Sequence, residues 1–213
     1  MSNKTVNIGE PTTPRYEFRT FGHHFKEHQE LMEQLTQPVP EDLKIRIFDE
    51  VYIVSKNIDD INIKIKNNLL DIKKLIQIEN KLEQWDTINK YEFPISKELL
   101  LDEIFPMLYA DLPLLNIPEL DIKQLLNIAK RHKDLIPISV HKKRHAYIVN
   151  YTICEYAEVI IGNQYLYTVA VESTELDELV KTVKQLKLDL YENINYVQAI
   201  KRVSEIDDKP FAN

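Results

Sequence analysis

Charged residues recur at every second position in five places along this chain. Arg15, Glu17 and Arg19 form one set, Lys44 and Arg46 a second, Lys64 and Lys66 a third, Asp71 and Lys73 a fourth, and Lys142 and Arg144 a fifth. Residues two apart share a face of a β-strand, so each set projects its charges in one direction. Any one set by itself reads first as the solvated face of a surface strand. The intervening residues change the reading: Tyr16, Phe18, Ile45, Ile47, Ile63, Ile65 and Ile72 are apolar, and Lys143 is the exception. Strands of this kind build a barrel with its hydrophobic face turned toward helices and its charged face toward a lumen. A lumen lined by cations repels itself unless it holds water, carboxylates or a polyanion. Glu17, Glu83, Glu155 and Glu172 are carboxylates of suitable placement, and a phosphate chain satisfies the cations best.

Other chemistries are excluded by composition. The 213-residue chain has three glycines, too few for the loops that cradle phosphates in P-loop or dinucleotide-binding proteins. One cysteine, Cys154, leaves no internal disulfide and no zinc finger or ribbon. There is no GxSxG elbow. His24 and His28 stand four apart on an expected helix but lack a third ligand, so they read as a solvated helix face; His141 and His145 could at most support a neighbouring anion site. With 34 acidic and 27 basic residues the net charge is −7, which disfavours duplex nucleic acid and anionic membranes unless the cations are gathered in one place. No apolar run is long enough to span a bilayer, and a cytoplasmic protein is expected.

The elements that must position these residues follow from periodicity. Residues 1–14 read as a tail, 15–203 as one domain with a helical insertion at 96–132, and 204–213 as a polar tail. Strands are expected over Arg15 to Phe21, Leu43 to Ser55, Ile61 to Lys66, Leu69 to Ile76, Lys81 to Glu92, Leu135 to Asn150, Tyr151 to Ile161 and Tyr165 to Glu172. Asn67-Asn68 suits a tight hairpin turn. Helices are expected over His24 to Thr36, Lys97 to Ala110 with a kink at Pro106, Glu119 to Arg131, Thr174 to Leu188 with Ser173 as N-cap, and Asn193 to Val203. The Leu99 to Leu101 and Leu112 to Leu115 runs serve as core or as a surface for a protein partner.

The order of these motifs resembles the CYTH superfamily, the triphosphate-tunnel proteins that include thiamine and inorganic triphosphatases, class IV adenylate cyclases and fungal-type RNA triphosphatases. Arg15-Tyr16-Glu17-Phe18-Arg19 sits where the family has ExExK. Glu50-Val51-Tyr52 is similar to its Asp-x-Tyr strand, Lys64-Ile65-Lys66 to its RxR strand and Asp71-Ile72-Lys73 to its TxK strand. Lys142-Lys143-Arg144 looks like its second basic strand, followed by an acidic position at Glu155, or at Glu158 in another register. Ala170-Val171-Glu172 resembles the late ExE strand and Asn195-Tyr196-Val197 the terminal Ser-Tyr. The resemblance implies an α+β fold, an antiparallel eight-stranded β-barrel or tunnel with helices packed outside. It implies phosphate binding by Arg15, Arg19, Lys64, Lys66, Lys73, Lys142 and Arg144. Glu17, Glu172 and Glu155 would hold Mg²⁺ or Mn²⁺, hard cations that take oxygen ligands.

Two departures bear on activity: Arg15 and Ala170 replace glutamates of the family motifs. An arginine beside the site opposes a metal and favours a phosphate oxygen. The leading expectation is therefore a protein that binds a triphosphate-bearing small molecule or RNA 5′ end, with weak catalysis or none. A Mg²⁺- or Mn²⁺-dependent triphosphate hydrolase is the alternative, and a scaffold that binds protein through the Leu-rich insertion is the third.

Overall fold

A computed structural model describes residues 13–212. All but the last two residues of the expected N-terminal tail lie outside the described residues. The chain begins with β1 (Arg15–Gly22), α1 (Lys26–Leu35) and a single helical turn α2 (Glu41–Lys44). A meander follows: β2 (Ile45–Ser55), β3 (Ile61–Lys66), β4 (Leu69–Glu79) and β5 (Leu82–Glu92). The insertion holds the two-residue strands β6 (Ile95–Ser96) and β7 (Glu119–Leu120) and the helices α3 (Lys97–Leu99), α4 (Phe105–Met107) and α5 (Ile122–Arg131). The chain then returns through β8 (Leu135–Val149), β9 (Thr152–Ile161) and β10 (Gln164–Ser173), and ends with α6 (Leu176–Gln185) and α7 (Tyr196–Val203). Eight strands close into one antiparallel barrel in the order β1-β10-β9-β8-β2-β3-β4-β5.

Hairpin turns that ordinarily use glycine use asparagine instead. Asn67-Asn68, Asn80-Lys81 and Asn150-Tyr151 all have positive φ at both positions, the two-residue turn whose twist matches antiparallel strands. The mixed periodicity of β4 and β5 has a physical cause. Ile72 pairs with Asn89 and Lys73 with Thr87, and further on Leu75 pairs with Trp85 and Gln77 with Gln84. Ile88 and Ile76 are thus extra residues on opposite strands, two bulges that turn both side chains toward solvent.

Three apolar layers hold the barrel. The insertion helices cover Ile61, Ile63 and Ile65 of β3 together with Leu70 and Ile72 of β4. The helices α1 and α6 cover Phe18, Cys154, Val169 and Val171. The third layer lies inside: Phe21, Tyr52, Val54, Val140, Ala157, Val159 and Leu166 meet Ile194, Val197 and Ile200, so α7 plugs one end of the barrel. Lys201 fastens this plug, donating to the backbone carbonyl of Ile58 (2.8 Å) and to Asp59 (2.5 Å). The inner face is therefore apolar at the plugged end and charged along the rest, a division the alternation of charges alone does not reveal.

Several local expectations are corrected. Lys44 belongs to α2 and pairs with Glu41 at 2.5 Å on the surface, because Pro40 permits a helical turn before β2 starts. Ser173 ends β10, its Oγ accepting from the Glu175 N–H (3.0 Å), and Glu175 is the N-cap of α6. His24 precedes α1, and the half-buried His28 packs edge-on against Phe25 and Tyr191. The kink at Pro106 is a π turn over Leu100–Ile104, with the Phe105 N–H reaching Leu100 O just before a residue that has no N–H to donate. The last described residues return to the barrel: Ala212 bridges Gly22, and Phe211 stacks obliquely on Phe21.

Candidate anion site in the barrel

The charged part of the lumen is a cavity of about 270 Å³. Among the described residues nine basic side chains line it (Arg15, Arg19, Arg46, Lys64, Lys66, Lys73, Lys90, Lys142 and Arg144) against five acidic ones (Glu17, Glu50, Asp71, Glu155 and Glu172). A protein of net charge −7 thus gathers a surplus of basic over acidic side chains around this cavity, with Glu83 a further buried carboxylate beside it. Low-dielectric walls and hydrogen-bonded strands keep that surplus focused on the space they enclose.

Strand alternation places each group. In β1 the odd residues point inward, and in β3 and β8 the even ones do; Lys143 therefore faces out and pairs with Glu158 at 3.1 Å. Of the two acids offered for one position, Glu155 lines the cavity and Glu158 pairs with Lys143 away from it. His141 and His145, on the same alternation as Lys143, also lie outside the cavity, with His141 bound to Asp49 at 2.8 Å. The seven cations expected at the site all line it.

Two carboxylates organise the cations. Glu50, on β2, is buried and lies 2.8 Å from Lys64 Nζ, 3.6 Å from Lys66 Nζ and 3.8 Å from Lys142 Nζ; it also accepts from the Tyr52 hydroxyl at 3.1 Å. Burial alone would push its pKa up, but Lys142, Lys64 and Lys66 bring it down to about 2. The lysines feel the opposite pressure. Burial lowers the pKa of Lys142 and of Lys66, and neighbouring cations lower both further against the pull of Glu50. The Lys142 ammonium sits 4.1 Å from the Tyr196 ring centroid, and Lys66 lies 3.6 Å from that of Phe48, so aromatic faces carry part of the charge.

The second centre is an arginine cluster. Arg19 is buried, and its Nε donates to Glu17 (2.6 Å) while Nη1 donates to Glu155 (2.7 Å) and Nη2 lies 3.8 Å from Glu172. Arg15 Nη1 is 3.6 Å from the other oxygen of Glu172. Arg144 Nε is 2.6 Å from Glu155 Oε2, an ion-pair distance at which the N–H is not aimed for a hydrogen bond. The barrel register explains the cluster. Glu83, Glu17 and Glu172 stand directly opposite one another across β5, β1 and β10, a row of like charges that needs cations beside it. Glu83 is relieved differently: burial raises its pKa, and Trp85 Nε1 (3.0 Å) and Asn195 Nδ2 (3.0 Å) donate to it.

These contacts test whether a divalent metal fits. The three glutamates that the resemblance assigns to Mg²⁺ or Mn²⁺ are each already joined to an arginine, and Arg19 alone reaches all three. Among the described residues no group of three acidic, histidine or cysteine side chains converges to hold a metal ion. The donor set present does not fit the metal, and no chemical step is derived through one.

Arg46, Phe48, Glu50, Tyr52, Asp71 and Tyr196 also line the cavity, although none was among the residues assigned to phosphate or metal. The first four are successive even positions of β2, so the alternation that exposed Arg46 extends to its neighbours. Arg46 has a buried Nε without a hydrogen-bond partner, and burial, with Arg144 close by, lowers its pKa. The Leu-rich insertion is mostly internal: Leu100 is fully buried and Leu112 and Leu115 pack on the core, while Leu114 and Leu101 are exposed.

A closed eight-stranded antiparallel barrel with basic side chains lining its interior and helices outside is the fold that was expected from the order of motifs. No protein-family model and no curated protein sequence matches the chain. Among solved structures, the PH1819 protein from Pyrococcus horikoshii is similar at 17% identity, with 88% of this chain and 99% of that chain covered and a TM-score of 0.43. HpAC1 from Hippeastrum, for which a dominant triphosphatase activity is described, is similar at 13% identity, with 91% and 96% covered and a TM-score of 0.45. A candidate adenylate cyclase from Bacillus halodurans is similar at 12% identity, with 94% and 96% covered and a TM-score of 0.45. No helix among the described residues is long and apolar enough to cross a membrane.

Proposed function

We propose that the protein binds a linear triphosphate, borne by a small molecule, by inorganic polyphosphate or by an RNA 5′ end, inside the charged part of its barrel. The observation that carries the reading is the gathering of nine basic side chains, among the described residues, around one cavity of an acidic protein. Arg46 from β2, Lys64 and Lys66 from β3 and Lys142 from β8 bring donors from three strands to the same cavity. The motif order adds to this, since it is the order found in triphosphate-tunnel proteins. Metal-dependent hydrolysis has less support, because Glu17, Glu155 and Glu172 are held by arginines.

Isothermal titration with tripolyphosphate tests the reading. The expected result is a dissociation constant of ~100 μM or tighter, with orthophosphate binding far more weakly, and loss of the heat in a Lys64→Ala, Arg46→Ala double variant that remains folded. Absence of heat at millimolar tripolyphosphate, with or without Mg²⁺, would reject it.

A further inference from the structure

Arg19 stands where a cation must stand, yet it is part of the chain. Its guanidinium donates to Glu17 and Glu155 and lies 3.8 Å from Glu172, so one fixed positive group joins carboxylates from β1, β9 and β10. The route it takes is set by Ala170. Arg19 is directly opposite Ala170, and Ala170 is directly opposite Glu155, so the arginine crosses β10 over a methyl group to reach the far strand. A longer side chain at position 170 would close that path. The two departures at the site thus act together: Ala170 makes room for Arg19, and Arg15 adds a second guanidinium at Glu172.

Charge balance gives the consequence for the ligand. A nucleoside triphosphate tail carries roughly four negative charges at neutral pH, and a bound divalent cation cancels about two of them. The excess of basic over acidic side chains among the described lining residues favours the more negative free anion over its metal complex. A divalent ion carried in on the phosphates would also find the carboxylates of Glu17 and Glu155 already engaged by arginine.

We infer that the barrel takes its polyphosphate as the metal-free anion, Arg19 serving as the built-in cation, so that Mg²⁺ competes with binding instead of assisting it. This rests on the phosphate-binding reading above. The test is calorimetry with tripolyphosphate in EDTA and again with enough Mg²⁺ to complex nearly all of it, together with electron paramagnetic resonance of Mn²⁺ added to the ligand-free protein. Binding in EDTA that weakens about tenfold or more in Mg²⁺, with Mn²⁺ remaining free in solution, is the expected result. Binding that requires Mg²⁺, or a protein-bound Mn²⁺ signal that Glu17→Gln removes, would overturn the inference and leave the phosphate site standing. No binding in either buffer would remove both.

Discussion

Replacing Glu50 with glutamine keeps the shape of the side chain and an oxygen for the Tyr52 hydroxyl, but removes the charge that Lys64, Lys66 and Lys142 share within 3.8 Å. Folding holds the Glu50 pKa at about 2 against an ordinary 4.5. A difference of that size corresponds to about 3 kcal/mol of stability at neutral pH. The figure agrees with the ~3–5 kcal/mol lost when one partner of a buried ion pair is removed. With an m value of roughly 3 kcal/mol/M in urea, the unfolding midpoint should fall by about 1 M. Ligand binding should move the other way. Glu50→Gln removes one negative charge from the cavity and frees three ammonium groups from their internal partner, so tripolyphosphate should bind more tightly, by about fivefold or more. The variant should therefore be less stable alone and gain more from the ligand than the parent does. Urea titrations monitored by circular dichroism, with and without tripolyphosphate, read both effects. A midpoint unchanged to within about 0.2 M, or weaker binding by the variant, would refute the assignment of Glu50 as the counter-ion of the lysines.

The same alternation makes opposite predictions for neighbours in sequence. Arg46→Ala should weaken tripolyphosphate binding by about tenfold with little loss of stability, since its buried Nε has no internal partner to lose; Lys143→Ala, on the outer face, should change it less than about twofold. Equal effects of the two in calorimetry would contradict the inward and outward assignment. Acid should unfold the protein progressively: Glu50 and Glu155 have folded pKa values below their unfolded ones, so their stabilisation is complete above pH 4.5 and is lost as pH falls toward 2. Urea midpoints measured at pH 6, 4 and 3 should decline in that order, and the Glu50→Gln decline should be shallower. Burial pushes the Cys154 thiol up to about 12, so a disulfide reagent should react with it only in denaturant; fast labelling of the native protein would show that the layer under α1 and α6 is open.

The barrel was legible because period two is the strongest signal a half-buried strand can carry. Arg15, Glu17, Arg19, Lys64, Lys66, Lys142 and Arg144 announce an inward face, and the apolar residues between them announce the outward one. The rule failed where the backbone broke it. Lys44 has the spacing of a strand residue but belongs to the turn of α2, and the bulges at Ile76 and Ile88 blur β4 and β5. The plug was hidden for a different reason. Phe21, Tyr52, Val54 and Val140 are inward positions occupied by apolar residues, and only the return of α7 explains why they are not charged. The arginine cluster depends on pairing between strands distant in sequence. Position 15 could be recognised as unfavourable to a metal, but the path of Arg19 over Ala170 to Glu155 exists only once β1, β10 and β9 are in register.

The central claim concerns where the anion sits. A crystal structure of the protein grown with tripolyphosphate in EDTA should show the phosphate chain in the barrel, within hydrogen-bonding distance of Arg46, Lys64 and Lys66, with Arg19 still joined to Glu17 and Glu155. A phosphate chain bound only on the outer surface, beside an interior whose ion pairs are unchanged, would contradict it.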